Sequence, residues 1–220
     1  MHGCIDGFSR RILWLKVARS NNSPEIPGQY YIETVAALGV PVELVTDLGT
    51  ENGLTASMLC YLRENNDAHR YVPSPRNQRI EGWWSFFCKN RISWWRSFFQ
   101  DLESQGVVDT TSEIHKECLW YCFSGVLQTE CDHVREHWNT HRMRKSRHDT
   151  VHARPDSMFF LAEYHGGLAD LLLEVPVIEI NEVSQQCIRE IENNVYGEYF
   201  EYVRASLGLS KPTTWQGACD

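Results

Sequence analysis

Val40-Pro41-Val42-Glu43-Leu44-Val45-Thr46-Asp47-Leu48-Gly49-Thr50-Glu51-Asn52 is the stretch that decides how the chain is read. Val40 to Val45 has the β-branched, apolar composition of a short buried strand. It runs directly into Thr46-Asp47, so a carboxylate stands at a strand end, beside a glycine that permits close turning. A helix is expected from about Leu54 to Asn65, then an extended piece from His69 to Val72. Pro73, Ser74 and Pro75 exclude regular structure there. From Gln78 to Leu102 the pattern is helical again, with Glu81 in the first turn and 33 residues between it and Asp47.

Upstream, β-like runs at Cys4 to Phe8 and Ile12 to Val17 are joined by Ser9-Arg10-Arg11, which fits a tight hairpin. Ser23-Pro24-Glu25 resembles a helix start, and that helix should end near Gly39. Strands alternating with helices predict an α/β layer architecture with a mixed sheet. A helical region follows from Ser112 to His141, and the chain breaks near Thr150 to Pro155. Beyond it lie a β-like run, Glu174 to Ile180, and a helical run, Ser184 to Leu207. No internal repeat of 20–50 residues is visible.

With 42% hydrophobic and 12% aromatic residues among 220, the chain can bury a substantial core. No apolar stretch approaches membrane-spanning length, and no basic segment leads into an apolar one at the N-terminus. Eight cysteines are scattered without a C-x-x-C pair, which suits reduced thiols in a nuclear or cytoplasmic, non-secreted protein. The net charge of −8 is uneven. Residues 1–150 hold 17 Lys/Arg against 18 Asp/Glu, whereas residues 151–220 hold 4 against 11. The acidity belongs to the tail, and the first part is near neutral with local basic clusters able to meet phosphate.

Asp47 and Glu81 have the donor type that hard cations such as Mg²⁺ require, and a two-metal phosphoryl-transfer site needs several carboxylates converging from different elements. Singly, each has an ordinary alternative: a loop aspartate capping a turn, and a helix N-terminal glutamate favoured by the macrodipole. A resemblance adds to the spacing. Val45-Thr46-Asp47-Leu48-Gly49-Thr50-Glu51-Asn52 resembles the "D-N-G-x-E-F" block of the retroviral and retrotransposon integrase catalytic core. Ser74-Pro75-Arg76-Asn77-Gln78-Arg79-Ile80-Glu81 resembles the same family's "P-x-x-N-G-x-x-E-R" block. His137-Trp138-Asn139-Thr140-His141-Arg142, then Arg154-Pro155-Asp156, is similar to its closing "Y-N-x-x-R…P-x-E" segment. The match covers residues 1 to about 162, in order.

The resemblance implies an RNase H-like mixed sheet flanked by helices over residues 1–162, with residues 163–220 an acidic tail or small α+β accessory element. It implies a transposon-derived polynucleotidyl transferase of the DDE type, acting in DNA integration with Mg²⁺ or Mn²⁺ if active. Asp47 and Glu81 would be the second and third catalytic metal ligands. Ile5-Asp6-Gly7-Phe8-Ser9-Arg10 resembles the family's second strand, whose aspartate is not a ligand, so Asp6 is the weaker candidate. The first acid would then lie about a dozen residues upstream, on a central first strand that the chain as written lacks. The alternative is a domesticated, non-catalytic DNA- or protein-binding assembly module.

Other features carry more than one meaning. Trp83, Phe87, Trp94 and Phe98 recur at helical spacing, which fits a buried face or a contact in a homo-oligomer better than a base-stacking platform. Arg142, Arg144 and Lys145, with Arg147, form the densest basic cluster. Arg76 and Arg79, with Arg70, form a second candidate for phosphate, and Lys89 follows Glu81 along its helix. Ser85 and Cys88 stand where DNA-gripping integrases tend to place lysines. His133, His137 and His141, near Cys131, have the spacing of zinc ligands, although no paired cysteines complete such a site.

Overall fold

A computed structural model describes residues 1–73, 77–144, 152–168, 170–187 and 195–219. The chain divides into two compact units, residues 1–81 with 132–189, and residues 82–131 with 190–220.

The first unit is a mixed α/β structure. Strands β1 (His2–Ile5) and β2 (Ile12–Lys16) form an antiparallel pair in which Gly3 faces Leu15 and Cys4 faces Trp14. The sequence suggests a first strand reaching Phe8, but it stops at Ile5 because Asp6 folds the chain back. Its Oδ2 accepts hydrogen bonds from the Phe8 amide (3.1 Å), the Ser9 amide (2.6 Å) and the Ser9 hydroxyl (2.7 Å). Helix α1 (Glu25–Leu38) comes next, and it ends at Gly39, whose φ of 102° is open to glycine.

Strand β3 (Leu44–Thr46) is shorter than the sequence suggests. Pro41 has no amide hydrogen for a ladder, and Val40 pairs instead with Leu173 in an isolated antiparallel bridge. Helix α2 (Gly53–Leu62) leads to β4 (His69–Tyr71), which lies parallel to β3 with Thr46 opposite Tyr71. The expected single mixed sheet is therefore seen as two separate two-stranded sheets, one antiparallel and one parallel. Among the described residues no strand joins them. Trp14 from β2, Tyr31, Ile32 and Val35 from α1, and Met58, Leu59 and Leu62 from α2 make the core. Each large aliphatic side chain buried there contributes about 1.5–3 kcal/mol.

The tail contradicts its β-like reading. Residues Val177–Ser184 form helix α7, started by Pro176. Val175, Val177, Ile178 and Ile180 have strand propensity, but Ile180, Val183 and Cys187 are spaced three and four apart and pack on the α1–α2 core. Tertiary burial decides between the two. Helix α6 (Pro155–Phe160) precedes this segment. Of the helical run expected from Ser184 to Leu207, Gln185–Cys187 is a 3-10 turn, residues 188–194 lie outside the described residues, and Val195–Ser206 form α8, within the second unit.

The continuous helix expected from Gln78 to Leu102 is interrupted. Helix α3 (Gln78–Phe87) passes through a π-helical segment, Cys88–Ile92, into α4 (Ser93–Ser104). Each π turn adds about one residue and shifts the apolar face by about 100°. The buried aromatics are accordingly Trp83, Phe87 and Trp95, while Trp94 is 47% exposed. Trp95 packs with Phe123 and Val126 of α5 (Glu113–Thr140). Trp94 stacks on Phe98, and both meet Trp215 edge-on. Burial thus accounts for most of the aromatic stripe, one residue out of the anticipated register.

Candidate functional site

Thr46 ends β3 and anchors the loop that carries Asp47. Its carbonyl accepts from the Val72 amide (2.9 Å). Its hydroxyl contacts both the Asp47 carbonyl (3.0 Å) and His69 Nε2 (3.1 Å). The hydroxyl has one proton, and the carbonyl needs it, so His69 must donate from Nε2 and leave Nδ1 as acceptor. Burial lowers the pKa of His69 below its usual 6.5, which keeps this neutral tautomer in place near neutrality. Unfolded chains then take up protons before folded ones, so stability should fall as pH drops through about 6.5. Denaturant titrations between about pH 7 and pH 5 check this: His69→Gln is expected to give a shallower pH dependence than the parent chain.

Asp47 is half-buried and oriented by its own loop. Its Oδ1 accepts from Asn52 Nδ2 at 2.8 Å and from the Gly49 amide at 3.3 Å. Both bonds use one oxygen, so the second oxygen is the one able to meet a cation. Gly49 is not needed for its backbone angle, since φ is −63°. A β-carbon there would meet the Glu51 carboxylate, a flexible side-chain end that can swing aside. Asn52 and His69 are the supporting residues that sequence reasoning missed. Asn52 lies inside the block around Asp47 and could have been found there. His69 could not, because only the strand pairing brings it to Thr46.

Glu81 lies in the first turn of α3, half-buried, its amide bonded to the Asn77 carbonyl (3.2 Å). Asp47 and Glu81 both belong to the first unit, and both offer carboxylate oxygens of the type Mg²⁺ or Mn²⁺ takes. Asp6 accepts the three hydrogen bonds of its turn on a single oxygen, Oδ2. Among the described residues no group of three His, Cys, Asp or Glu side chains is arranged to hold a metal ion. This covers His133, His137 and His141. Asp47 and Glu81 suit a divalent cation by donor type alone.

The basic candidates separate. Arg79 is exposed and reaches the β1–β2 turn, where a β-carbon on Gly7 would stand 3.3 Å from its Nη1. Arg142 and Arg144 are exposed on either side of buried Met143, whose amide bonds the Ala153 carbonyl (3.1 Å). Lys89 is exposed in the π-helical segment of the second unit. Arg70 is held by Glu43, with 3.0 Å between Nε and Oε1 and 3.2 Å between Nη2 and Oε2. Arg76, Lys145, Arg147 and His148 lie outside the described residues.

The closing block has a structural task. Asn139 accepts from the Ile12 amide (2.8 Å) and donates to the Ile12 carbonyl (3.0 Å), doing for β2 what a neighbouring strand would do. Trp138 Nε1 donates to the Arg10 carbonyl (2.8 Å). Arg11 Nε meets Asp156 Oδ1 at 2.7 Å, and its guanidinium lies over the rings of Phe159 and Phe160. The end of α5 and the start of α6 therefore clamp the hairpin.

Asp47, just past the end of β3, and Glu81, in the first turn of α3, both lie in the mixed α/β first unit. The integrase core domain model matches residues 1–161, and the chain belongs to that family. No curated protein and no solved structure gave a match. No helix among the described residues is long and apolar enough to cross a membrane.

Proposed function

We propose that the chain is an RNase H-like integrase core that binds DNA and takes part in metal-dependent phosphodiester transfer, with Asp47 and Glu81 as the carboxylates that hold Mg²⁺ or Mn²⁺. The observation that carries this is Asp47 at the end of β3, turned by Asn52 so that one oxygen remains for a cation, in a chain whose residues 1–161 match the family. When bound, the metal would activate water or a 3′-hydroxyl for in-line attack and neutralise the charge that develops. The chain's own part is to orient the acids and to meet phosphates through Arg79, Arg142 and Arg144, with Lys89, and with Arg76 and Lys145 as further candidates.

With Asp6 set aside because its segment resembles the family's second strand, two acids are assigned, and strand transfer should be slow. The same observation supports the second reading, a domesticated non-catalytic DNA- or protein-binding module. A strand-transfer assay on a labelled duplex with Mg²⁺ and with Mn²⁺ separates them. The catalytic proposal expects weak product, stronger in Mn²⁺, that disappears in Asp47→Asn. Product that persists in Asp47→Asn would sink it, and duplex binding with no product would favour the module. Nuclear or cytoplasmic residence and assembly as a homo-oligomer belong to the same proposal.

A further inference from the structure

A groove of about 1020 Å³ lies on the first unit, lined among others by Ser57, Tyr61 and Glu64 along and just after α2, His69 and Tyr71 of β4, and Glu179 of α7. Its charged lining is two carboxylates, with no Lys or Arg among the described residues that line it. His69 adds no positive charge near neutrality, because burial lowers its pKa. Tyr61 and Tyr71 are 58% and 47% exposed, and the Tyr71 ring meets the His69 ring edge-on at 4.3 Å between centroids. Strand β4 is paired with β3 alone among the described strands, which leaves one edge for main-chain pairing.

Glu64 is the unusual residue. Helix α2 ends at Leu62, and Glu64 stands two residues on with φ 49°, its amide bonded to the Tyr61 carbonyl (3.0 Å). Left-handed backbone just past a helix end suits glycine or asparagine, and a β-carbon there is strained. A carboxylate also stands unfavourably at the negative end of the helix dipole. Two local costs fall on one residue whose side chain lines the groove. Strain kept at such a position points to use.

We propose that this groove binds an extended, lysine- or arginine-bearing segment of a protein partner, with the cationic side chain held by Glu64 and Glu179 and covered by Tyr61 and Tyr71. Carboxylates repel nucleic acid phosphate, and cations over phenol rings gain from the ring quadrupole. The proposal does not depend on the phosphodiester chemistry.

Isothermal titration of the whole chain with an end-blocked peptide alternating lysine with valine tests it, a peptide with glutamate in place of lysine serving as control. The lysine peptide is expected to bind and the glutamate peptide not. Glu64→Gly should raise the thermal midpoint, by relieving the strain, and yet weaken the lysine peptide about tenfold. Glu179→Gln should weaken it too, whereas Glu136→Gln, an exposed acid outside the groove, should not. Unchanged affinity in Glu64→Gly would overturn the proposal, as would equal binding of both peptides. So would an effect of Glu136→Gln as large as that of Glu64→Gly, since binding would then be general attraction to an acidic chain.

Discussion

Asn139→Ala is expected to lower the free energy of unfolding by about 2–5 kcal/mol, measured by urea denaturation. Asn139 is 5% exposed, and its amide satisfies both the N–H and the C=O of Ile12. Truncation leaves those two backbone groups buried without partners, and each such group costs about 1–3 kcal/mol. Against a typical total of about 5–15 kcal/mol, this one side chain decides whether the hairpin holds. Asn139→Asp should be nearly as harmful, because a carboxylate cannot donate to the Ile12 carbonyl. The contrast is Asp156→Ala. Its ion pair with Arg11 is partly solvated, with side chains 21% and 35% exposed, and should cost about 1 kcal/mol or less. If Asn139→Ala proves no worse than Asp156→Ala, the clamp is wrongly assigned.

The second large effect separates two aspartates that look alike in sequence. Asp6→Ala should reduce stability by about 1–3 kcal/mol, since one carboxylate oxygen serves three donors of the turn. It should leave divalent-ion uptake as it was. Asp47→Asn should do the reverse. Its two loop bonds can be kept by an amide oxygen, so the fold changes little, but Mn²⁺ affinity should drop on the order of 100-fold or more. Water-proton relaxation with Mn²⁺ reads the affinity, and thermal unfolding reads the stability. Loss of Mn²⁺ binding in Asp6→Ala with none in Asp47→Asn would exchange the two roles and refute the assignment.

Much of the frame is legible in the sequence because local signals agree with burial. Pro24 and Gly39 bracket α1, and the strand before Asp47 has the expected apolar run, though only its last residues pair. Where local and tertiary preferences differ, the sequence misleads. Val175 to Ile180 is rich in β-branched residues, yet the spacing of Ile180, Val183 and Cys187 places that segment on the core as a helix. The aromatic repeat gives the right face before Cys88 and the wrong one after it, because a π-helical turn leaves no mark in composition. At the candidate site the acids are visible through their blocks. Of their supports, Asn52 lies within the block around Asp47, whereas His69 reaches Thr46 only through parallel pairing.

The separation between the hairpin and its clamp sets a timetable for the nascent chain. The partners of Arg10, Ile12 and Arg11 lie 128, 127 and 145 positions later. At roughly 5–20 residues per second, the hairpin waits roughly 6–25 s on the ribosome before its clamp is synthesised. Until then the Ile12 backbone has only water, or the wrong neighbour, to bond. Early synthesis is therefore the interval when this chain is most open to mispairing and most dependent on chaperones, and refolding of the full-length chain, limited by closing the same long loop, should be slow.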